Sequence, residues 1–318
     1  MGIGRKPIVV VGSINLDLVA KAGHIPAAGE TVHGSDFQIH PGGKGANQAV
    51  AVARFGYPVH MIGMLGSDAL GEQLRSHLQG AGVGLDGVAH SDGASGVAMI
   101  VVDPHGENCI VATPVANAQV TPEYVDRYQD MIQNAGMVLT QLEIPVETVQ
   151  HVADVCFLYN VPLMLDPAPA QTLPRAILKR IAWLHETEAA FYATYSSNGS
   201  GETGPRMMAH HLLALGPPGV LLKMRPRGAY VATKNVEEQI NAIAVNAIDT
   251  TTGGCFQWSV RRRTDAWQRC HRKYALRRGG SGSIGHASRR TAFHARSPGR
   301  RTAPGISPIA SSATFIRG

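Results

Sequence analysis

The sequence predicts an α/β fold, in which helices cover both faces of a mostly parallel sheet. Short apolar runs alternate with longer helical stretches from residue 8 to residue 166. The predicted strands are 8–12, 59–66, 137–143 and 162–166. The predicted helices are 46–56, 70–82, 121–136 and 147–160. Short strands separated by helices of about ten or more residues are typical of parallel sheets buried on both sides.

A hairpin interrupts this alternation. Residues 95–103 and 108–113 are both strand-like, and Asp103, Pro104 and Gly106 between them are residues that favour turns. We therefore expect a small antiparallel flap beside the main sheet.

One helix boundary carries clear chemical signals. Thr121 is suited to cap a helix whose first position is Pro122, because its hydroxyl can accept a hydrogen bond from the first turn. Gly136 is a residue typical of a helix end. The spacing predicts one helix over 121–136.

Composition limits the class of protein. The chain has 318 residues, of which 44% are hydrophobic, so it can bury a core and should be globular. Its four cysteines show no C-x-x-C spacing and indicate neither a disulfide framework nor a zinc ribbon: Cys109, Cys156, Cys255 and Cys270. The apolar run at 7–12 is too short to span a membrane and lacks a cleavage site. We expect a cytoplasmic protein with no membrane partner.

The net charge of +6 hides a division within the chain. Residues 251–318 hold 13 arginines and one lysine against one acid, a net of +13, so residues 1–250 carry −7. The arginines of 253–318 lie among glycine, serine and proline, and disorder is the physical default for such a composition. We expect a globular domain over 1–252 and a disordered basic tail over 253–318.

Polar side chains follow three of the predicted strands. Asn15 and Asp17 come after the first strand, Glu143 ends the strand at 137–143, and Asp166 ends the last one. Each of them alone is also what an ordinary loop or helix cap contains. Ligands of open parallel sheets bind beyond the carboxyl ends of the strands, so three such ends together favour a site.

A glycine-rich segment opens the helix predicted at 46–56. Its three glycines are Gly42, Gly43 and Gly45. We expect bare backbone N–H groups and the positive end of the helix to face outward here. Lys44 and Asn47 add a cation and an amide one helical turn apart, which suits a polyhydroxylated ligand. The segment is not a Walker loop, because no Gly-Lys-Ser/Thr follows, and a plain turn into a helix is the alternative interpretation.

Six motifs, in order and spacing, resemble those of the ribokinase-like carbohydrate kinases. They are Asn15-Leu16-Asp17, PGGKGANQAVAVARFG, GMLGSDALGEQL, QLEIP, LDPAPA and Asp249-Thr250-Thr251. The resemblance covers about residues 7–251 and implies a Rossmann-like sheet. It also implies a flap over about 14–40 and 95–113, which closes over the sugar and pairs with a second subunit. The implied reaction is phosphoryl transfer from ATP to the 5-hydroxyl of D-ribose.

The resemblance also assigns candidate site residues. Those implied to bind the sugar are Asn15, Asp17, Gly42, Gly43, Lys44, Asn47 and Glu143. Those implied to bind the nucleotide are Lys223, Gly228, Thr251, Gly253 and Gly254. Glu188 matches the glutamate of the N-x-x-E motif that acts on the magnesium-bound phosphates, and Asp249 and Thr251 match positions associated with K⁺. The implied cofactors are ATP, Mg²⁺ and K⁺, and the implied assembly is a homodimer.

The next motif of the family is missing. It reads D-T-T-G-A-G-D-x-F-x-G-A, with the second aspartate as the base, whereas this chain reads D-T-T-T-G-G-C-F-Q-W-S. Cys255 lies near the place of that aspartate, and a thiol is a poor substitute because its ordinary pKa is about 8.5 and it accepts hydrogen bonds weakly. Smaller departures are His185 near the N-x-x-E asparagine, Val115 in the G-A-N motif and Arg225 at a usual glycine. We expect no catalytic base, and turnover reduced by about 10²- to 10⁴-fold.

A frameshift near codon 252 is our hypothesis for the mismatch, because nothing after Thr251 matches the family. Read out of frame by one nucleotide, the codons of Trp258–Arg261 permit Gly-Ala-Phe, which resembles the missing x-G-A step. The codons of Ile284–Ser288 likewise permit Leu-Val-Thr-Arg, as in a late strand of the family. The coding DNA around codons 245–265 decides between a frameshift and a real extension.

Two other functions stay open at this stage. The tail contains Trp267, Tyr274 and Phe293 among its arginines, which is compatible with a nucleic-acid-binding extension. Out-of-frame GC-rich DNA produces the same clusters, and we expect nucleic acid not to be a partner. The other alternative is a pseudokinase, which binds the sugar without catalysis.

Overall fold

The computed structural model describes residues 5–195, 204–224 and 227–242. The strands are β1 (Ile8–Val11), β2 (Asn15–Ala22), β3 (Gly34–Gly42), β4 (Val59–Gly66), β5 (Gly84–Ser91), β6 (Gly96–Val102), β7 (Asn108–Thr113), β8 (Met137–Gln141), β9 (Leu163–Asp166), β10 (Trp183–Thr187), β11 (Gly219–Lys223), β12 (Ala229–Thr233) and β13 (Val236–Ile240). The helices are α1 (Lys44–Arg54), α2 (Ala69–Gly80), α3 (Pro122–Asp126), α4 (Gln129–Gln133), α5 (Val146–Leu158), α6 (Arg175–Arg180), α7 (Glu188–Tyr195) and α8 (Pro205–Ala214). A 3₁₀ turn spans Val115–Gln119. Within these ranges, no helix combines the length and apolar character needed to cross a bilayer.

The main sheet has nine strands in the order β13-β12-β11-β10-β9-β8-β1-β4-β5. Every pair from β11 to β5 is parallel. The last two strands, β12 and β13, pair antiparallel with their neighbours. The predicted mostly parallel α/β sheet is therefore confirmed.

The central strands are apolar on both faces because helices cover both. In β1, Val9 and Val11 pack into a cluster with residues of α5, α6 and α8. Val10, between them, packs on the other side with residues of α1 and α2. A continuous apolar run is what a parallel strand buried on both faces requires. The carboxyl ends of β1, β8, β9, β10 and β11 consequently meet at one edge of the sheet.

A second sheet of four strands, the flap, has the order β3-β2-β6-β7. The chain enters it directly from the end of β1, so the flap stands at the carboxyl edge of the main sheet. The predicted hairpin at 95–113 is confirmed as β6 and β7, and its turn is held by Asp103 Oδ1, which accepts from His105 N at 2.8 Å and Glu107 N at 2.9 Å. The β2–β3 pair is also antiparallel, whereas β2 and β6 run parallel.

The prediction of one helix over 121–136 is wrong, because this segment forms the two short helices α3 and α4. The predicted cap is present: Thr121 Oγ1 accepts a hydrogen bond from Tyr124 N at 3.3 Å. The Tyr124 hydroxyl donates toward the carbonyls of Gly63 and Gly87, at 2.9 Å from each oxygen, and so ties α3 to β4 and β5. Contacts between residues so far apart in the chain outweigh local helical periodicity.

Candidate functional site

Two loop residues meet where β1 and β8 end. The two strands pair in parallel, with Val11 opposite Thr140. The residues that follow them therefore emerge side by side at the same edge of the sheet. There the Ser13 hydroxyl donates a hydrogen bond of 2.6 Å to Glu143 Oε2. The parallel register thus joins residues that lie 130 positions apart in the chain.

The first turn of α1 closes on the same pair. The backbone N–H of Lys44 donates to Glu143 Oε2 at 3.0 Å, and that of Gly45 donates to Ser13 Oγ at 3.3 Å. The N–H of Ala46 donates to the Ser13 carbonyl at 2.9 Å. The expectation of a bare helix tip is therefore wrong, because groups of the protein itself occupy these three amides. The positive end of the helix instead holds the Glu143 carboxylate in place.

Gly43 permits this close approach of helix and strand. Its φ is +88°, a left-handed conformation that glycine adopts without strain. A Cβ at this position would lie 2.7 Å from Asn15 N and 2.9 Å from the Ser13 carbonyl oxygen. Any larger residue would push α1 away from the strand ends and separate the groups described above.

The Lys44 side chain adds a cation next to Glu143. Its Nζ lies 3.8 Å from Glu143 Oε1, and both side chains remain partly exposed. The other carboxylate oxygen, Glu143 Oε2, accepts the hydrogen bonds from the Ser13 hydroxyl and the Lys44 backbone N–H. An ammonium group donates hydrogen bonds and a carboxylate accepts them, so the exposed parts of this pair offer both to a ligand.

Strand β2 carries Asn15 and Asp17 on one face, because residues two apart in a strand point the same way. Asn15 lies between Gly42 of β3 and Gly96 of β6. A Cβ on Gly42 would collide with the Asp17 carboxylate, and a Cβ on Gly96 would collide with the Asn15 side chain. The two glycines therefore leave the room that the two polar side chains need.

Asn117, which follows the flap in the chain, holds Asn15 in place. Its Nδ2 donates to Asn15 Oδ1 at 2.6 Å and to the Ile14 carbonyl at 3.2 Å. Its Oδ1 accepts from the Ile14 N–H at 2.9 Å. The residue is 1% exposed. We refer to the following residues as the Glu143 cluster: Ser13, Asn15, Asp17, Lys44, Asn117 and Glu143.

The carboxyl group of Asp17 is harder to ionise than an ordinary aspartate. Burial and, to a smaller extent, the nearby Glu143 carboxylate raise its pKa to about 6. His40 and Lys44 act in the opposite direction, but their effect is smaller. This carboxyl therefore changes its charge between pH 5 and 7, an interval about one unit either side of its pKa.

A second group of charges lies at the ends of β9, β10 and β11. It consists of Asp166, His185 and Lys223, and we refer to it as the Asp166 cluster. Lys223 Nζ donates to Asp166 Oδ2 at 3.3 Å, and His185 Nδ1 lies 3.5 Å from the same oxygen. Burial raises the pKa of Asp166, but Lys223 and His185 outweigh it and hold the pKa below its ordinary range. Burial and Lys223 lower the pKa of His185, so the cluster is a buried ion pair beside a neutral imidazole.

Glu186 lies next to this cluster and is 3% exposed. Burial and, to a smaller extent, Asp166 raise the pKa of its carboxyl to about 7. The Thr187 N–H, which donates to Glu186 Oε1 at 2.8 Å, and Lys223 both lower it. Glu186 is therefore a group that exchanges a proton near neutral pH.

The two clusters occupy neighbouring parts of one edge. Lys44 lowers the pKa of Asp17 in the first cluster and of Asp166 in the second. The strand register agrees, because Gln141 at the end of β8 pairs with Asp166 at the end of β9, and Glu143 follows Gln141 by two residues. The Glu143 cluster offers the mixed donors and acceptors that a polyol requires, and the Asp166 cluster offers a lysine suited to an anion.

The other residues predicted for the site are spread more widely. Asn47 lies in the first turn of α1, where its N–H donates to the Gly43 carbonyl at 2.9 Å. Gly228 lies in the connection from β11 to β12 with φ +94°, and a Cβ there would collide with the Ile240 carbonyl. Glu188 begins α7 directly after β10, but its side chain lies outside the described residues. The following also lie outside the described residues: Asp249, Thr251, Gly253, Gly254, Cys255 and the whole tail 253–318.

Sequence reasoning missed Ser13 and Asn117 as partners in the site. Ser13 had a usable signal, since it is a polar residue directly after a buried strand, like Asn15. Asn117 had one signal, its place as the asparagine of the altered G-A-N motif, but its contacts depend on a chain path that brings the end of the flap back to its start. The link between Asp166 and Lys223 was also missed, because it crosses the strand that lies between them.

Comparison with known proteins identifies the family. The family model for pfkB family carbohydrate kinases matches residues 5–254. The ribokinase of Schizosaccharomyces pombe is 37% identical over 258 residues, which cover 78% of this chain and 81% of that protein. The ribokinase of Bacillus subtilis is 37% identical over 250 residues, with 78% and 81% covered.

Solved structures agree with this. The Arabidopsis thaliana ribokinase complexed with ribose and ATP has a TM-score of 0.70 and 31% identity, and the match covers 78% of this chain and 81% of that chain. The Thermotoga maritima ribokinase has a TM-score of 0.68 and 33% identity, with 77% and 80% covered. The family predicted from the six motifs is thereby confirmed. The chain belongs to the pfkB family of carbohydrate kinases and is a ribokinase-like phosphotransferase.

Proposed function

We propose that this chain derives from a ribokinase that transfers the γ-phosphoryl group of ATP to the 5-hydroxyl of D-ribose. The observation that carries the proposal is the Glu143 cluster at the carboxyl edge of a ribokinase-like sheet. It is supported by the 37% identity to the ribokinases of S. pombe and B. subtilis and by the similarity to the Arabidopsis ribokinase complexed with ribose and ATP.

The sugar would bind between the flap and the first turn of α1. The carboxylates of Asp17 and Glu143 accept hydrogen bonds from hydroxyl groups, while Lys44 and the amides of Asn15 and Asn47 donate to hydroxyl oxygens. Phosphoryl transfer needs little covalent chemistry from the protein, so fixing the sugar in this way is itself a large part of catalysis.

The phosphates of ATP would lie toward the Asp166 cluster. Lys223 supplies a cation for them, although Asp166 already holds one of its hydrogen-bonding directions. Mg²⁺ enters with ATP, and Glu188 is the residue proposed to act on it, because a carboxylate oxygen is the hard ligand that Mg²⁺ prefers. Gly228 is proposed beside the nucleotide, and Thr251, Gly253 and Gly254 are proposed to surround the transferred group. Asp249 and Thr251 are proposed to hold K⁺.

We further propose that turnover is impaired in this chain. The aspartate that serves as base in the family motif is absent near Cys255. Loss of a general base costs about 10²- to 10⁴-fold in rate. Because the Glu143 cluster is complete before residue 144, binding of ribose without efficient turnover is the second candidate function.

The direct experiment compares two versions of the chain. One is the 318-residue chain with the present sequence. The other is the product of a gene with a single-nucleotide correction near codon 252 that restores the family reading frame. ADP release with ribose and MgATP should be at least about 10²-fold faster in the restored version. Equal turnover would contradict the proposed loss, and inactivity of both toward ribose would contradict the proposed substrate. A coding sequence without family-like codons in the next frame would end the frameshift hypothesis.

A homodimer that forms through the flap is also proposed. Five apolar side chains of the flap are between 47% and 59% exposed: Phe37, Ile39, Met99, Ile110 and Val111. Exposed apolar groups on a sheet with an open edge strand are typical of a protein interface. Light scattering should report a dimer for the chain and a monomer for Ile110→Asp. A monomeric wild type would contradict the proposal.

The proposed location is cytoplasmic. The described cysteines support this, because Cys109 and Cys156 are both free.

A further inference from the structure

Asn117 joins the exit of the flap to its entry. It lies in the 3₁₀ turn that follows β7, whereas its partners Ile14 and Asn15 stand where β1 leads into β2. Its side chain is 1% exposed, so water does not compete for these hydrogen bonds. The contact is therefore a fixed point between the flap and the main sheet.

The chemistry of a peptide group fixes which way the Asn117 amide points. The Ile14 N–H can only donate, and it lies 2.9 Å from Asn117 Oδ1. The Ile14 carbonyl can only accept, and it lies 3.2 Å from Asn117 Nδ2. Rotating the amide by 180° would place oxygen against oxygen and N–H against N–H. The ambiguity that usually affects asparagine side chains is absent here.

This orientation sets that of Asn15 in turn. Asn117 Nδ2 lies 2.6 Å from the Asn15 side chain and can only donate, so the Asn15 atom that faces it must be the oxygen. The Nδ2 group of Asn15 consequently points away from Asn117. Among the described residues it has no hydrogen-bond partner, although Asn15 is only 5% exposed.

We propose that Asn117 is a positioning residue that forces Asn15 to present its NH₂ group, and not its carbonyl oxygen, to the sugar. The inference rests on the proposed sugar-binding function for the identity of the ligand. Asn15 then supplies a donor next to the Asp17 acceptor on the same face of β2. A sugar hydroxyl both donates and accepts, so this pair matches one hydroxyl or two neighbouring ones.

The surrounding glycine supports the same assignment. A Cβ on Gly96 would collide with both Asn117 Nδ2 and Asn15 Oδ1. The flap therefore carries no side chain at the one place where it would separate the two amides. The space is shaped for this hydrogen bond and for nothing larger.

Asn117→Asp tests the inference with an almost unchanged shape. A carboxylate still accepts from the Ile14 N–H, but it cannot donate to Asn15. The Asn15 amide should then rotate, direct its NH₂ group to the new carboxylate and present its oxygen to the sugar. We expect the Kd for ribose, measured calorimetrically on the full chain without ATP, to rise about 10- to 100-fold. Asn108→Asp, on the exposed β7, is the matched control and should leave the Kd unchanged.

A double-mutant cycle separates positioning from general damage. If Asn117 acts only through Asn15, then Asn117→Asp should add almost nothing to the effect of Asn15→Ala on the Kd for ribose. If the Kd of the double variant rose by the product of the two single fold-changes, the inference would be overturned, because Asn117 would then contribute by another route.

A second measurement needs neither ribose nor a stable variant. In the wild-type chain labelled with ¹⁵N-asparagine, the side-chain NH₂ of Asn117 should be protected from hydrogen exchange and that of Asn15 should exchange quickly. The opposite pattern would overturn the inference even if the protein binds no sugar. Correct exchange behaviour with no ribose binding would instead count against the proposed function alone.

Discussion

The Glu143 cluster and the Asp166 cluster lie at the same edge of one sheet but are built differently. The first joins residues from 13 to 143 through hydroxyl, amide and ammonium groups, and it stays partly open. The second is a buried ion pair whose further partners in the proposed reaction begin at Glu188 and extend beyond residue 242. In the proposed reaction, the residues that recognise the sugar therefore come early in the chain and those that act in phosphoryl transfer come late. A change after residue 251 should remove the chemistry and spare the binding.

The largest effect should follow from breaking the ion pair of the Asp166 cluster. Lys223→Met leaves the buried Asp166 carboxylate without its cation, which typically costs about 3–5 kcal/mol of unfolding free energy. Lys234→Met, on the exposed turn between β12 and β13, is the matched control. Denaturant titration measures both.

Adding Asp166→Asn to Lys223→Met should restore most of that loss, because no uncompensated charge remains. A Lys223→Met variant as stable as the control would mean that Asp166 is not held by this lysine.

The next largest effect should be the loss of ribose affinity in Glu143→Ala, a substitution in the Glu143 cluster. It leaves the Ser13 hydroxyl and the Lys44 amide without their acceptor and removes a carboxylate from the proposed sugar site. We expect ribose binding to weaken by about 2–3 kcal/mol, or roughly 30- to 150-fold, in calorimetric titration. Glu147→Ala, an exposed glutamate in the first turn of α5, should change nothing. Unchanged affinity in Glu143→Ala would remove the cluster from the sugar site.

The elements of the fold and of the site differ in how far the sequence predicts them. The apolar runs of β1, β4, β8 and β9 and the helices α1, α2 and α5 follow from periodicity, since burial on both faces leaves a direct pattern. The break between α3 and α4 and the hydrogen bonds of Asn117 to Ile14 and Asn15 do not follow from periodicity. Each depends on contacts between residues about 60 to 100 positions apart. The occupied amides at the tip of α1 also depend on contacts outside the helix, between residues 99 and 32 positions apart.

The pH dependence of ribose binding should show a smaller effect within the Glu143 cluster. The pKa of Asp17 is raised to about 6, so the folded protein holds this proton more tightly than the unfolded chain does. Its contribution to the free energy of unfolding is therefore complete below about pH 4 and is lost as pH rises through about 6.

Ribose affinity should change in the opposite direction. It should rise about 5- to 10-fold between pH 5 and pH 7, because an ionised carboxylate accepts stronger hydrogen bonds than a neutral one. Calorimetric titration over this range measures it, and Asp17→Asn should flatten the profile. A wild-type profile that stays flat would show that Asp17 does not meet the sugar.

The smallest effect concerns the turn that carries Asn117. Val115 adopts φ +40°, where a β-branched side chain is strained, and it is 42% exposed. Val115→Gly should therefore raise the free energy of unfolding by about 1 kcal/mol. Val111→Gly, at a similarly exposed position in β7, should lower the free energy of unfolding, because glycine there only increases the conformational entropy of the unfolded chain. Destabilisation by both substitutions would mean that the turn does not store strain.

The most direct test asks whether sugar binding is independent of the sequence that carries the phosphoryl-transfer residues. Ribose binding without ATP is measured by calorimetry on the 318-residue chain and on the frame-restored chain. We expect Kd values that agree within about twofold, since distant sites contribute independently, while turnover differs by at least about 10²-fold. Ribose binding by the restored chain alone would contradict it, because the Glu143 cluster would then depend on the sequence after residue 251.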